Sequence, residues 1–79
     1  MFLHMPEQPD QDLAALLKRL REERKVTQEQ LAFDAGITAS SLSRIERGLN
    51  SPGWMTVKSI VEALDVTLIE LATHLEGSA

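Results

Sequence analysis

The sequence has no cysteine, so no disulfide or thiolate metal site staples it, and an intracellular protein is the simplest expectation. It has no apolar run near the roughly 18 residues that a membrane-spanning helix needs. Its start, Met1-Phe2-Leu3-His4-Met5, lacks the basic flank and long apolar stretch of a signal peptide. Together these absences predict a cytoplasmic globular protein with no membrane partner. His4 and His74 have no companions at ligand spacing, whereas a metal site takes about three or four ligands. No metal and no other cofactor is expected. Ser41 has no nearby histidine to activate it, so nucleophilic catalysis has no support, and the chain reads as a non-enzyme.

What is present fits one small domain. A chain of 79 residues buries only about 60% of its unfolded surface, so its core is thin. The net charge of −4 weighs against a simple nucleic-acid binder. Its distribution matters more. Residues 18–50 carry seven Lys/Arg against five Asp/Glu, a net +2, while the rest carries Lys58 against seven acids, a net −6. A positive middle between acidic ends turns the acid away from a polyanion and limits non-specific sticking.

Residues 1–9 hold two prolines and no periodicity and read as a flexible N-terminal arm. Residues 10–76 read as a single all-α domain of five short helices. The first, from about Asp10 to Arg24, carries Leu13, Leu16, Leu17 and Leu20 at helical spacing. The second starts at Thr27 with Gln30 in capping-box position and stops at Gly36. The third follows Thr38, turns Leu42 and Ile45 inward and runs to Gly48. Asn50-Ser51-Pro52-Gly53 is turn chemistry. The fourth places Trp54, Val57, Ile60, Val61 and Leu64 on one stripe, which makes Trp54 a core residue or a lid over the core. The fifth opens at Thr67, again with Glu70 in capping-box position, and continues to about Leu75.

The informative stretch is Thr27 to Gly48, TQEQLAFDAGITASSLSRIERG. Two short helices joined by Gly36-Ile37-Thr38 must cross steeply, with Ile37 plugging the space between them. One face of the second is left free. Ser40, Ser43, Arg44 and Arg47 fall at i, i+3, i+4 and i+7 on that face, with Ala39 beside them. Arg can grip guanine O6 and N7 with two bonds, Ser can donate or accept at a base edge, and Ala can meet a thymine methyl. A solvated face with capping serines is the plain alternative. Glu46, four residues after Leu42, borders the core, and Arg21, four after Leu17, borders it from the first helix. A buried carboxylate needs a partner, so the two are expected to pair.

The pattern resembles the Cro/repressor-type (Xre-like) helix-turn-helix family over about residues 13–72. The matching residues are Leu20-Arg21, Thr27-Gln28, Leu31-Ala32, Gly36-Ile37, Leu42-Ser43, Ile45-Glu46-Arg47-Gly48, Pro52 and Ala63-Leu64-Asp65-Val66 leading to Leu71. The resemblance implies a five-helix, lambda-repressor-like DNA-binding domain whose third helix reads the major groove of double-stranded DNA. It implies base reading by Ala39, Ser40, Ser43 and Arg44. It implies backbone contacts from Gln28, Thr38, Ser41, Arg47 and Asn50, and a structural ion pair between Arg21 and Glu46. The loop Leu49-Asn50-Ser51 departs from the pattern in carrying no Lys or Arg, and Ala and Ser stand where glutamine is often found. Arg44 therefore becomes the main candidate for direct readout.

The expected function is a transcriptional regulator, such as a repressor, bound to a palindromic operator as a homodimer. One recognition helix reads only about three to five base pairs, so a single copy is too unselective. The pairing surface is expected on the fifth helix, where Leu68, Ile69, Leu71, Ala72 and Leu75 exceed what a thin core needs. The compact form resembles restriction-modification controller proteins; a phage repressor fits equally. The alternative is a protein-binding module, such as an antitoxin, with weak or no DNA binding. The acidic balance and the uncharged loop after the third helix favour that alternative, whereas Gln28, Arg44 and Arg47 oppose it.

Overall fold

The computed structural model describes residues 11–77, with residues 68 and 75–77 described in backbone only. The expected arm over 1–9 lies outside the described residues. Five helices follow in order: α1 (Gln11–Glu23), α2 (Gln28–Ala35), α3 (Ala39–Glu46), α4 (Trp54–Ala63) and α5 (Leu68–Gly77). No strand occurs among the described residues.

Local chemistry sets most of these boundaries. The Thr27 and Thr38 hydroxyls accept from the backbone N–H of Gln30 and Ser41, each at 3.0 Å, and so start α2 and α3. At α5 the box is complete. Glu70 N–H donates to Thr67 Oγ1 at 3.0 Å, and Thr67 N–H donates to Glu70 Oε1 at 2.9 Å. At α2 the Gln30 amide turns instead to Asp34 Oδ1 at 3.0 Å. The first four helices are each closed by a residue in the left-handed region: Lys25, Gly36, Gly48 and Asp65. The helix α3 ends at Glu46, just short of the expected stop at Gly48, because Arg47 caps it rather than continuing it.

The core takes Leu16, Leu17 and Leu20 from α1, Leu31 and Ala32 from α2, Leu42 and Ile45 from α3, and Val57, Ile60 and Val61 from α4. Leu64, Val66 and Leu71 close it. Each of the five largest wholly buried side chains, Leu17, Leu31, Leu42, Ile60 and Val61, contributes about 1.5–3 kcal/mol relative to exposure. The helix α2 packs on α3 and α4, while α1 packs on α3 and α5. That frame fixes α3 from two sides and leaves its third side to solvent.

Two expectations need correction. Trp54 is 62% exposed. It is the first residue of α4, a turn before Val57, the first buried residue of that helix, so the apolar stripe runs past the end of the core. Leu71 is 6% exposed and belongs to the core cluster, because α5 lies against α1 and α4. It therefore leaves the pairing surface expected on α5. Ile69 and Ala72 remain exposed on that helix. The side chains of Leu68 and Leu75 lie outside the described residues.

Candidate nucleic-acid interface

The turn between α2 and α3 is set by Gly36, at φ 76°, a conformation that carries a steric penalty for any Cβ. Ile37 N–H donates to Ala32 O at 2.9 Å, and its side chain packs partly buried against the core. The turn thus holds α3 at a fixed angle to α2.

A polar network then locks both helices to α1. Glu46 is buried, and it accepts from Arg21 Nε at 2.8 Å and Arg21 Nη2 at 3.1 Å. Gln28 Nε2 donates to the same carboxylate at 3.0 Å, and Arg21 Nη1 donates to Val26 O at 2.8 Å. Paired donors and acceptors of this kind satisfy a buried ion that would otherwise be costly. Donation of its hydrogen bonds to Glu46, outweighing the opposing effect of burial, raises the Arg21 guanidinium above its ordinary value, so it stays charged. The geometry joins Arg21 and Glu46 as the residue pattern predicts. It also reaches Gln28, whose carboxamide N–H2 turns inward to Glu46.

With α3 held, its outer face is open. Ser40, Arg44 and Arg47 are exposed, and Ala39, Ser41 and Ser43 are half-buried along its edges. Ser40, Ser43 and Arg47 make no side-chain hydrogen bond among the described residues, so their capacity is available to a ligand. Thr38 is exposed but accepts at the α3 cap. Asn50 is exposed beyond the end of the helix. Assigned from its hydrogen-bonding surroundings, its carboxamide accepts from Arg44 Nε at 3.2 Å and donates to Leu49 O at 2.9 Å. That contact straddles the helix end, where no helical periodicity operates, and sequence spacing gave no sign of it. Among the described residues no group of acids and histidines is placed to hold a metal, and no helix is long and apolar enough to cross a membrane.

The helix-turn-helix domain model matches residues 12–75. The chain belongs to the helix-turn-helix domain family. Among relatives of this helix-turn-helix chain, the HTH-type transcriptional repressor RghR of Bacillus subtilis (strain 168) is 47% identical over 51 residues, covering 63% of this chain and 38% of the repressor. The chain thus spans well under half of that relative. The restriction-modification controller protein C.AhdI from Aeromonas hydrophila superposes with a TM-score of 0.74 at 30% identity, covering 77% of this chain and 92% of the controller. A variant of the controller protein C.Esp1396I, solved bound to its operator site, shares the fold with a TM-score of 0.81 at 24% identity, over 85% of this chain and 88% of that one. These relatives are a transcriptional repressor and two controller proteins, regulators rather than enzymes, and the five-helix helix-turn-helix architecture expected from the sequence matches the fold of the controller proteins.

Proposed function

We propose that this chain is a sequence-specific transcriptional regulator that seats α3 in the DNA major groove and works in the cytoplasm. The carrying observation is the exposed α3 face bearing Ser40, Ser43, Arg44 and Arg47, on a helix fixed from behind by the Arg21–Glu46–Gln28 network. Arg44 reads a guanine, with Ala39, Ser40 and Ser43 at neighbouring base edges. Arg47, Thr38, Ser41 and the first backbone N–H groups of α2 meet phosphates. The operator-bound controller protein of the same fold supports this reading.

The active unit in this proposal is a homodimer on a palindromic site, its two α3 helices about 34–36 Å apart. The pairing surface is the outer side of α4 and α5. Ile69 stands 79% exposed at the edge of a groove of about 420 Å³ lined by Lys58, Val61, Glu62, Val66 and Thr67. Lys58 and Glu62 sit one turn apart on the groove, and a two-fold axis passing between them would set each Lys58 against the other copy's Glu62. That opposite-charge pairing supports a second copy as the groove's occupant.

Selection of bound duplexes from a random library tests the function. Two inverted half-sites one helical turn apart are expected. Enrichment of no sequence contradicts DNA reading and favours the protein-binding module instead, for which Phe33, 80% exposed on α2, offers an apolar contact.

A further inference from the structure

Arg44 and Asn50 belong to one closed circuit of hydrogen bonds at the end of α3. Leu49 N–H donates to Arg44 O at 2.9 Å, and Gly48 N–H donates to Ile45 O at 3.0 Å. Gly48, at φ 74°, makes that reversal of the chain. Leu49 O in turn accepts from Asn50 Nδ2 at 2.9 Å, and Asn50 Oδ1 accepts from Arg44 Nε at 3.2 Å. The circuit begins on the backbone carbonyl of Arg44 and ends on the side chain of the same residue. Both functional groups of the Asn50 carboxamide are engaged within it.

The consequence lies in which guanidinium donors remain. A guanidinium has five N–H donors in a rigid fork. One of them, on Nε, points at Asn50. The four on Nη1 and Nη2 have no partner among the described residues, and those two nitrogens suffice for the O6 and N7 atoms of one guanine. Resting on the proposed DNA-reading role of α3, we infer that Asn50 is a positioning residue for Arg44: it holds Nε, orders the side chain before DNA arrives, and presents the guanidinium end-on to guanine. Asn50 is thus removed from the sugar-phosphate contacts that family resemblance implies for it. Its effect on binding passes through Arg44.

An exposed arginine that must order itself on binding gives up about 0.5–1.5 kcal/mol of affinity. A wrong base, which leaves the guanidinium unordered, is spared that loss. Removing the anchor should therefore lower guanine preference at a single position by about 2- to 10-fold.

The test titrates the full chain against its selected operator and every single-base variant. The proteins are wild type, Asn50→Ala, Asn50→Asp, Arg44→Ala and the Asn50→Ala/Arg44→Ala double variant. Asn50→Ala should lower preference only at the base position that Arg44→Ala flattens, and it should add nothing in the Arg44→Ala background. Asn50→Asp keeps an acceptor for Nε, so preference at that position should return even as its charge lowers affinity for all sequences alike. By NMR of the DNA-free protein, the Arg44 Nε–H should exchange more slowly than that of Arg47 in wild type and Asn50→Asp, and lose that protection in Asn50→Ala.

A uniform loss at every position in Asn50→Ala, persisting without Arg44, makes Asn50 a phosphate contact and overturns the inference. An unchanged profile, or an Arg44 Nε–H that exchanges as fast as that of Arg47 in wild type, overturns it too. A wild type that selects no sequence, or a profile indifferent to Arg44→Ala, sinks the reading role of α3 and the inference with it. The first group of outcomes leaves that role intact.

Discussion

Arg21 meets Glu46 through two parallel hydrogen bonds, from Nε at 2.8 Å and from Nη2 at 3.1 Å, and ties the end of α1 to the end of α3. The carboxylate side chain is 1% exposed and the guanidinium side chain 12% exposed, so this pair is screened little by solvent. It sets where α3 sits.

Glu46→Ala strands Arg21 and deprives Gln28 of its acceptor. Breaking one side of a buried pair costs about 3–5 kcal/mol, and denaturant melts should show a loss of that size. Arg21→Met combined with Glu46→Leu should recover much of it, since an apolar replacement leaves no stranded charge. Single and double variants that both melt like wild type would contradict a structural role for the pair.

Gly36 and Gly48 share the left-handed backbone but differ in surroundings. A Cβ at Gly36 meets nothing, whereas one at Gly48 collides with the Gln11 carboxamide, which donates from Nε2 to Gly48 O at 3.1 Å. Gly36→Ala should cost about 1–2 kcal/mol for the backbone alone. Gly48→Ala should cost about 1 kcal/mol more, for the displaced hydrogen bond. In a Gln11→Ala background that excess should vanish, and an excess that persists there rules out Gln11 as its source.

Two neighbours on α5 should behave oppositely. Leu71→Ala opens the core and should destabilise the fold by about 2–5 kcal/mol. Ile69→Glu should leave the fold intact and break the pairing, because a charge at the contact is desolvated without a partner. Sedimentation at tens of micromolar should show wild-type dimers and Ile69→Glu monomers. Ile69→Glu dimers as tight as wild type would move the interface elsewhere.

The Glu70 carboxyl is held below the ordinary glutamate value of 4.5, first by the Thr67 backbone N–H and then by its hydroxyl. A depressed folded-state value means that the stabilisation is present above the unfolded value and disappears as pH falls through the folded one. Wild type should therefore exceed Glu70→Gln in Tm at neutral pH, and the gap should close as pH falls from the ordinary glutamate value of 4.5 through the lower folded-state value. A gap independent of pH would show that ionised Glu70 adds nothing beyond its amide.

Much of this fold is legible because its signals are local. Thr27, Thr38 and Thr67 mark helix starts by side-chain chemistry within three residues, and Gly36 and Gly48 mark stops by backbone freedom. The other two left-handed stops, Lys25 and Asp65, carry no such mark. The reading stripe on α3 is visible because a single helix sets its periodicity. Illegible features depend on neighbours distant in sequence or on helix ends. Gln28 turns to Glu46 through a crossing of α2 and α3 that no spacing encodes. Asn50 reaches Arg44 only because Gly48 reverses the chain between them. Leu71 is core because α5 packs on α1, and Trp54 is exposed because it stands a turn ahead of the first buried residue of α4.

The central claim is that the exposed α3 face reads sequence through Arg44. The most direct test is the ratio of affinities for the selected operator and for a scrambled duplex at one salt concentration. A specific reader should show a ratio of about 10³ or more. Arg44→Ala should reduce it by roughly 5- to 150-fold for each half-site, the equivalent of about 1–3 kcal/mol per Arg–guanine pair, with the loss confined to one base position in each half-site. A wild-type ratio near one, or a ratio that Arg44→Ala leaves unchanged, contradicts the account.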